Sequence, residues 1–266
     1  MRSIGAICCT ETDGTRTAYS LAATLRLPSQ FPPSIFPDSR PCPLAFHDDA
    51  QIRAWRTVKR FPKDTSFVFD LVLRFHQLGL ASSSEWCNEV DQRALSNLYF
   101  ETMHSAVVVT LDAPWNGTLA NGIQGREAAI MFKVWTAGLP LFIWATARHA
   151  KAQRGIIVPR TRYDPIFARI RALLEDTGGY HTWPRGKTLE PMLATLFYAV
   201  EACEYGDIWR PWCVDALRRI AELSKIKAVE EFRKALEFFP STDAFRATVD
   251  NVWNEMMHTL PFSGMQ

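Results

Sequence analysis

Phe67-Val68-Phe69-Asp70-Leu71-Val72-Leu73-Arg74-Phe75-His76-Gln77-Leu78 is the stretch whose periodicity decides the fold. Phe67, Leu71, Phe75 and Leu78 recur at spacings of four, four and three, which is the repeat of one face of an α-helix. Val68 and Val72 broaden the stripe, so this helix is expected to be buried on more than one side. A strand would need alternation with a period of two, and none is present here.

The same pattern continues on both sides. Asp164-Pro165 reads as a helix start, an Asp cap followed by a proline whose missing N–H is harmless at the first position. Ile166, Phe167, Ile170 and Leu173 or Leu174 follow on one face. Val214, Leu217 and Ile220 form a further stripe, then Ile226, Val229, Phe232, Leu236 and Phe239. Ser241 reads as the next cap, before Phe245, Val249, Val252, Trp253, Met256 and Leu260. Helices are expected at about 48–60, 64–79, 88–112, 123–152 (kinked near Pro140), 163–176, 188–204, 209–223, 226–239 and 242–259. No run of period-two alternation and no Asn-Gly hairpin breaks this series. The expectation is an all-α fold: a single bundle of about eight to nine helices over residues 46–266, without an internal repeat.

Residues 1–45 differ from the rest. Pro28, Pro32, Pro33, Pro37, Pro41 and Pro43 lie within sixteen residues, each fixing φ and removing an amide donor. This segment is expected to be an extended or disordered tail. The clearest later loop is Gly178-Gly179 and the polar run to Lys187.

The 266 residues are 47% hydrophobic, 22% charged and 12% aromatic, with a formal net charge of +2. That is the composition of a globular protein with ample core-forming material, and it carries no polyanion-binding excess of positive charge. Six irregularly spaced cysteines (Cys8, Cys9, Cys42, Cys87, Cys203 and Cys213) fall far below disulfide-scaffold density and suit reduced thiols in an intracellular protein. Ile4–Thr10 is too short for a signal-peptide core. The most apolar later window, 137–147, has eleven residues and includes Pro140. A bilayer span needs about 20, so a buried helix is expected and no membrane contact. Asn116-Gly117-Thr118, a glycosylation sequon by pattern, reads as a turn.

Motifs that would announce chemistry are incomplete. Gly186-Lys187-Thr188 matches the tail of a phosphate-binding loop, yet the required earlier glycine is His181 and no strand precedes it. Cys203 and Cys213 are ten residues apart and Cys8-Cys9 are adjacent, neither of which suits chelation of one zinc ion. His47-Asp48-Asp49 makes better sense with Asp48 or Asp49 as a helix cap than as a metal pair. There is no Gly-x-Ser-x-Gly elbow, and Cys87 sits among Glu85, Glu89 and Asp91, a setting that disfavours a thiolate. No catalytic residue, cofactor or metal is therefore assigned. Two basic clusters, Arg53, Arg56, Lys59, Arg60 and Lys63, then Arg148, Lys151, Arg154, Arg160 and Arg162, read as solvated helix faces in a chain of near-neutral charge. Nine tryptophans are spread along the helical region. They fill a large core or line an apolar pocket between helices.

Glu190-Pro191-Met192-Leu193-Ala194-Thr195-Leu196-Phe197-Tyr198-Ala199-Val200-Glu201-Ala202 is followed by Arg210-Pro211-Trp212-Cys213-Val214-Asp215-Ala216-Leu217-Arg218-Arg219. This succession resembles the C-terminal part of the fungal-specific transcription factor domain, the regulatory region of zinc-cluster activators. In that family an apolar helix with small residues precedes an Arg-rich helix that often opens with Arg and an aromatic. An amphipathic helix and a terminal Trp-containing helix come next, here matched by residues 226–239 and Trp253. Arg126-Glu127-Ala128-Ala129-Ile130-Met131 is similar to the family's middle region, so the resemblance spans about residues 47–258.

The resemblance implies a transcriptional regulatory domain in the nucleus, or in nucleus and cytoplasm, that controls a metabolic or natural-product gene cluster. Its partners would be other regulators or a small apolar metabolite held between helices, with Trp135 and Trp144 as candidate lining. The family's six-cysteine zinc cluster has no counterpart: residues 1–45 hold three cysteines, four Arg or Lys and three Asp or Glu. Direct DNA binding by this chain is accordingly not expected. The alternative is an all-α enzyme or binder, cyclase-like, that holds an apolar metabolite in an aromatic pocket; no Asp-Asp-x-x-Asp motif accompanies it.

Overall fold

The structure is a computed structural model that describes residues 36, 38–61, 68–111, 126–152, 163–175 and 189–258. Among the described residues there are nine helices and no strand: α1 (Leu44–Val58), α2 (Phe69–Ala81), α3 (Gln92–Leu111), α4 (Arg126–Ala152), α5 (Asp164–Glu175), α6 (Glu190–Ala202), α7 (Arg210–Leu223), α8 (Val229–Leu236) and α9 (Asp243–His258). The all-α bundle expected from the periodicity is what the chain forms.

Helix α6 is the axle of the arrangement. Every residue from Glu190 to Ala202 is buried, as an apolar helix without a polar face must be. It packs against α4 on one side and carries α7, α8 and α9 on others. α4 in turn touches α3 and α5, and α1, α2 and α3 pack in succession. Helix α4 comes close to α6 at Gly138, where an added Cβ would lie 2.2 Å from Thr195 Cγ2. The missing side chain of Gly138 leaves the space that the Thr195 methyl fills. Pro140 sits inside α4 two residues later, and the helix continues through it.

One contiguous cluster of buried apolar side chains runs from Ala54 in α1 to Met256 in α9. A smaller one joins Phe46 and Ala50 of α1 to Leu80, Val90, Ala94 and Leu98. Leu73 and Leu95 pack against both.

Several helix ends differ from the sequence expectation, each for a local reason. α1 begins at Leu44, after Pro43 and with no side-chain cap. Asp49 therefore lies a turn inside the helix, where it pairs with Arg53 at 2.8 Å instead of capping. At α9 the capping oxygen is Thr242 Oγ1, which accepts from the Phe245 amide at 3.4 Å, and not Ser241. Asp164 is not a cap either: it is the first residue of α5, and its carboxylate accepts from the Trp209 indole at 2.9 Å. The proline-rich tail before residue 36, the Gly178-to-Lys187 loop with Gly186-Lys187-Thr188, and Asn116-Gly117-Thr118 lie outside the described residues. No helix among the described residues is long and apolar enough to cross a membrane.

Candidate functional site

A cavity of about 490 Å³ opens between α1, α2, α6, α8 and α9. Its apolar wall is Leu80, Phe197, Leu236, Phe239 and Val249; its charged rim is Arg53, Glu85, Arg233, Glu237 and Arg246. Residues 237–242, between α8 and α9, form a strap along one side. The rim is internally neutralised to a large extent. Arg53 meets Asp49 at 2.8 Å and Glu85 at 3.4 Å, Arg233 meets Asp250 at 2.5 Å, and Arg246 pairs with Asp243.

Two buried polar side chains line the cavity, and both are committed to holding the strap. Tyr198 Oη donates to the Pro240 carbonyl at 2.6 Å; burial pushes its phenol pKa up, so it stays protonated. His76 is 4% exposed and lies 2.7 Å from Thr57 Oγ1. The Thr57 hydroxyl also faces two carbonyls, those of Arg53 and Phe238. Carbonyls only accept, so the single hydroxyl proton goes to one of them and His76 must donate from Nε2. Burial, reinforced by Arg53 and partly opposed by Asp49, lowers the His76 pKa to about 3, which keeps the ring neutral. The strap also comes close to α2: a Cβ on Gly79 would lie 2.7 Å from the Ser241 carbonyl oxygen.

The rings behind the cavity form one aromatic cluster. Phe142 stacks on Phe245 with centroids 5.4 Å apart, and Tyr198 meets both at 5.0 and 5.6 Å. Phe197 joins this group through Phe245 at 6.1 Å and leads on to Phe232 at 6.1 Å, which meets Trp253 at 5.5 Å. Such contacts contribute beyond area burial, about 0.5–1.5 kcal/mol per pair.

A second cavity of about 370 Å³ lies at the C-terminal end of α6. The last carbonyls of a helix have no partner inside it, and here two arginines from other helices supply the donors. Arg210 Nη1 bonds the Val200 and Cys203 carbonyls, each at 2.9 Å, and Arg148 donates to Ala202 O at 3.1 Å and to Glu201 O. Arg210 also holds Glu255 of α9 through two bonds of 2.8 and 2.7 Å. The joint therefore fastens α4, α6, α7 and α9 together. His149 Nε2 is 3.6 Å from Glu201 Oε2. Burial, and secondarily Arg148, lowers the His149 pKa to about 4, so near neutral pH this contact is not an ion pair. Burial raises the Glu201 pKa against the pull of the Thr248 hydrogen bond, Arg148 and Arg210.

The candidate residues from the sequence fall elsewhere. Trp135 is 2% exposed and packs edge-on against Phe61 at 4.8 Å. Trp144 stacks on Tyr163 at 4.3 Å. Both are core rings on α4 and neither lines either cavity. The two basic clusters are partly spent on structure: Arg60 pairs with buried Glu190 at 3.2 Å and sits 3.5 Å over the Phe238 ring, and Arg148 is a helix cap. Arg154, Arg160 and Arg162 lie outside the described residues.

His76, Tyr198 and the 237–242 strap were not legible, because they meet only through tertiary packing. Arg210 did leave a signal. A cation in the first turn opposes its own helix dipole, so it has to be engaged by something outside that helix. Among the described residues no group of three or more His, Cys, Asp or Glu is placed to hold a metal ion.

The fold and the two cavities thus define an all-α bundle with an internal hollow. No family model matches the chain, and neither a curated protein nor a solved structure is similar to it at a significant level.

Proposed function

We propose that this chain is the helical regulatory domain of a nuclear transcriptional regulator, and that it senses a small apolar-bodied metabolite in the cavity beneath the strap. The observation that carries the reading is the cavity itself. Its volume, about 490 Å³, falls within the roughly 300–1,000 Å³ of small-molecule sites, and it has the apolar wall and sparse polar edge of such sites. The resemblance of residues 190–219 to the fungal regulatory region supports the same reading, since α6 and the start of α7 are the elements that build the cavity wall and the arginine joint.

Holding is favoured over turnover. The two buried polar groups that face the cavity, His76 and Tyr198, are bonded to Thr57 and Pro240, and a general acid or base has to be free to reach its substrate. Action through partner regulators is the corollary for a stretch without a zinc cluster.

The test is to fuse the chain to a heterologous DNA-binding module and read a reporter gene. The wild-type fusion is expected to change expression several-fold. Val249→Phe, which fills the cavity from α9, is expected to shift that response while leaving the helical content unchanged. A fusion that neither activates nor represses, although folded and nuclear, overturns the regulatory reading.

A further inference from the structure

Of the six large apolar side chains exposed among the described residues, three lie on α1: Leu44, Ile52 and Trp55, at 82%, 53% and 51% exposure. They stand on the face opposite the one that Phe46, Ala50, Ala54 and Thr57 bury. The Trp55 ring is held by Phe69, with centroids 4.4 Å apart, and still shows half its surface. Two charged residues share this outer face, Asp48 and Lys59. Both are exposed, and neither has an ion-pair partner among the described residues. Lys59 follows α1 directly with φ −64° and ψ −11°, so the helical path runs on through it. Asp48, Ile52, Trp55 and Lys59 are thus spaced four, three and four, which is the seam of a coiled coil. Along the seam the order is acid, apolar, apolar, base. Run antiparallel against a copy of itself, that order is self-complementary. Ile52 meets Trp55 of the second copy in two central layers, and Asp48 meets Lys59 of the second copy in the layer at each end. A parallel pair would set Asp48 on Asp48 and Lys59 on Lys59, which like charges disfavour.

We propose that the outer face of α1 is the docking site for a second copy of this chain, the two helices pairing antiparallel about a two-fold axis that passes between residues 53 and 54. The same patch serves both copies, as a two-fold requires. The apolar layers lie at the centre and exclude water there. The Asp48–Lys59 layers lie at the ends, where solvent still reaches them, and they set direction and register more than strength. The 15 residues of α1 extend about 22 Å. That is a small interface, so the association is weak and concentration-dependent. The 490 Å³ cavity takes only Arg53 from α1, on another face of the helix. Pairing leaves it open, and the inference is independent of what the cavity binds.

The experiment is analytical ultracentrifugation of the full chain from about 1 μM to about 1 mM. The mass should rise from 30.2 kDa toward twice that value. Ile52→Arg, which puts a cation into both central layers, should keep the chain monomeric over the whole range. Asp48→Lys and Lys59→Asp should each weaken association about tenfold, and the double swap should recover most of that loss. All three side chains are exposed, so helical content by circular dichroism should not change. A carbodiimide should also join Asp48 of one copy to Lys59 of the other. Within one helix these residues are eleven positions apart, about 16 Å, which is too far for a direct amide, so the link reports the pair. A chain that stays monomeric at every concentration overturns the proposal. So does a dimer that Ile52→Arg leaves intact, or one in which the swap fails to restore what the single changes lose. Links from Asp48 or Lys59 to residues 1–35 of the same chain, with no change of mass, would overturn it too and assign the face to that segment.

Discussion

His76 shows how much a single buried ring can govern. It sits where charge is expensive, its Nε2 proton is committed to Thr57, and its pKa falls to about 3 from the ordinary 6.5. The folded state therefore refuses a proton that the unfolded chain accepts anywhere between those values. Stability from this group is fully present above about pH 6.5 and is lost as pH falls toward 3, with a slope of about 1.4 kcal/mol per pH unit in between. His149, lowered to about 4 for the same reason, acts in the same direction. His76→Gln keeps a donor for Thr57 but cannot titrate. In urea melts between about pH 4 and 6 the variant should show a stability slope shallower by about 1.4 kcal/mol per unit. An unchanged slope would assign the acid sensitivity to other groups. Nothing in residues 67–78 alone marks His76 out, because its partner Thr57 lies 19 positions away in the chain and the Phe238 carbonyl that Thr57 also faces lies 181 positions from Thr57.

At the scale of the element, the helices were legible and their ends less so. Spacing of apolar residues places all nine helices, because a side chain either reaches the core or does not, and that depends on the helical repeat alone. Ends depend on single hydrogen bonds. Asp49 and Asp164 have the chemistry of caps, but Arg53 and the Trp209 indole claim their carboxylates. The end of α7 is a clearer case. The Ile226 amide bonds Ala221 O at 3.0 Å and the Lys225 amide bonds Glu222 O at 3.0 Å, the paired closure of a Schellman motif. The motif needs a left-handed residue, and Lys225 takes φ 60° where glycine is usual. A Cβ in that region costs about 1 kcal/mol. Lys225→Gly should therefore raise stability only slightly, by up to about 0.5 kcal/mol after the added unfolded-state entropy of glycine is subtracted. Chemical denaturation measures this directly, and a loss of stability would show that the Lys225 side chain holds the turn.

For the whole molecule, the strap from Glu237 to Thr242 is the closing element. It reaches α1 through Thr57 and Phe238, α2 through the Gly79–Ser241 approach, and α6 through Tyr198 and Pro240. Asp243, just beyond it, accepts the Ser84 amide at 2.5 Å. Every one of these contacts joins a C-terminal residue to one far earlier in the chain, which is why the cavity they enclose could not be located from motifs. Trp135 and Trp144 stood out by residue type, whereas Leu80, Tyr198 and Val249 line the hollow by position. The same connectivity has a consequence for unfolding. The large apolar cluster draws on α1, α2 and α3 as well as on α4 to α9, so α1–α3 cannot separate from α4–α9 without exposing it. Loss of helix by circular dichroism and loss of burial by tryptophan fluorescence should then coincide in one denaturant transition, although chains of this length often unfold in steps. Two resolved transitions would mean that the strap contacts break before the core does, leaving α1–α3 as a unit that melts on its own. In that event Tyr198→Phe, which leaves the Pro240 carbonyl without its donor, would widen the gap between them.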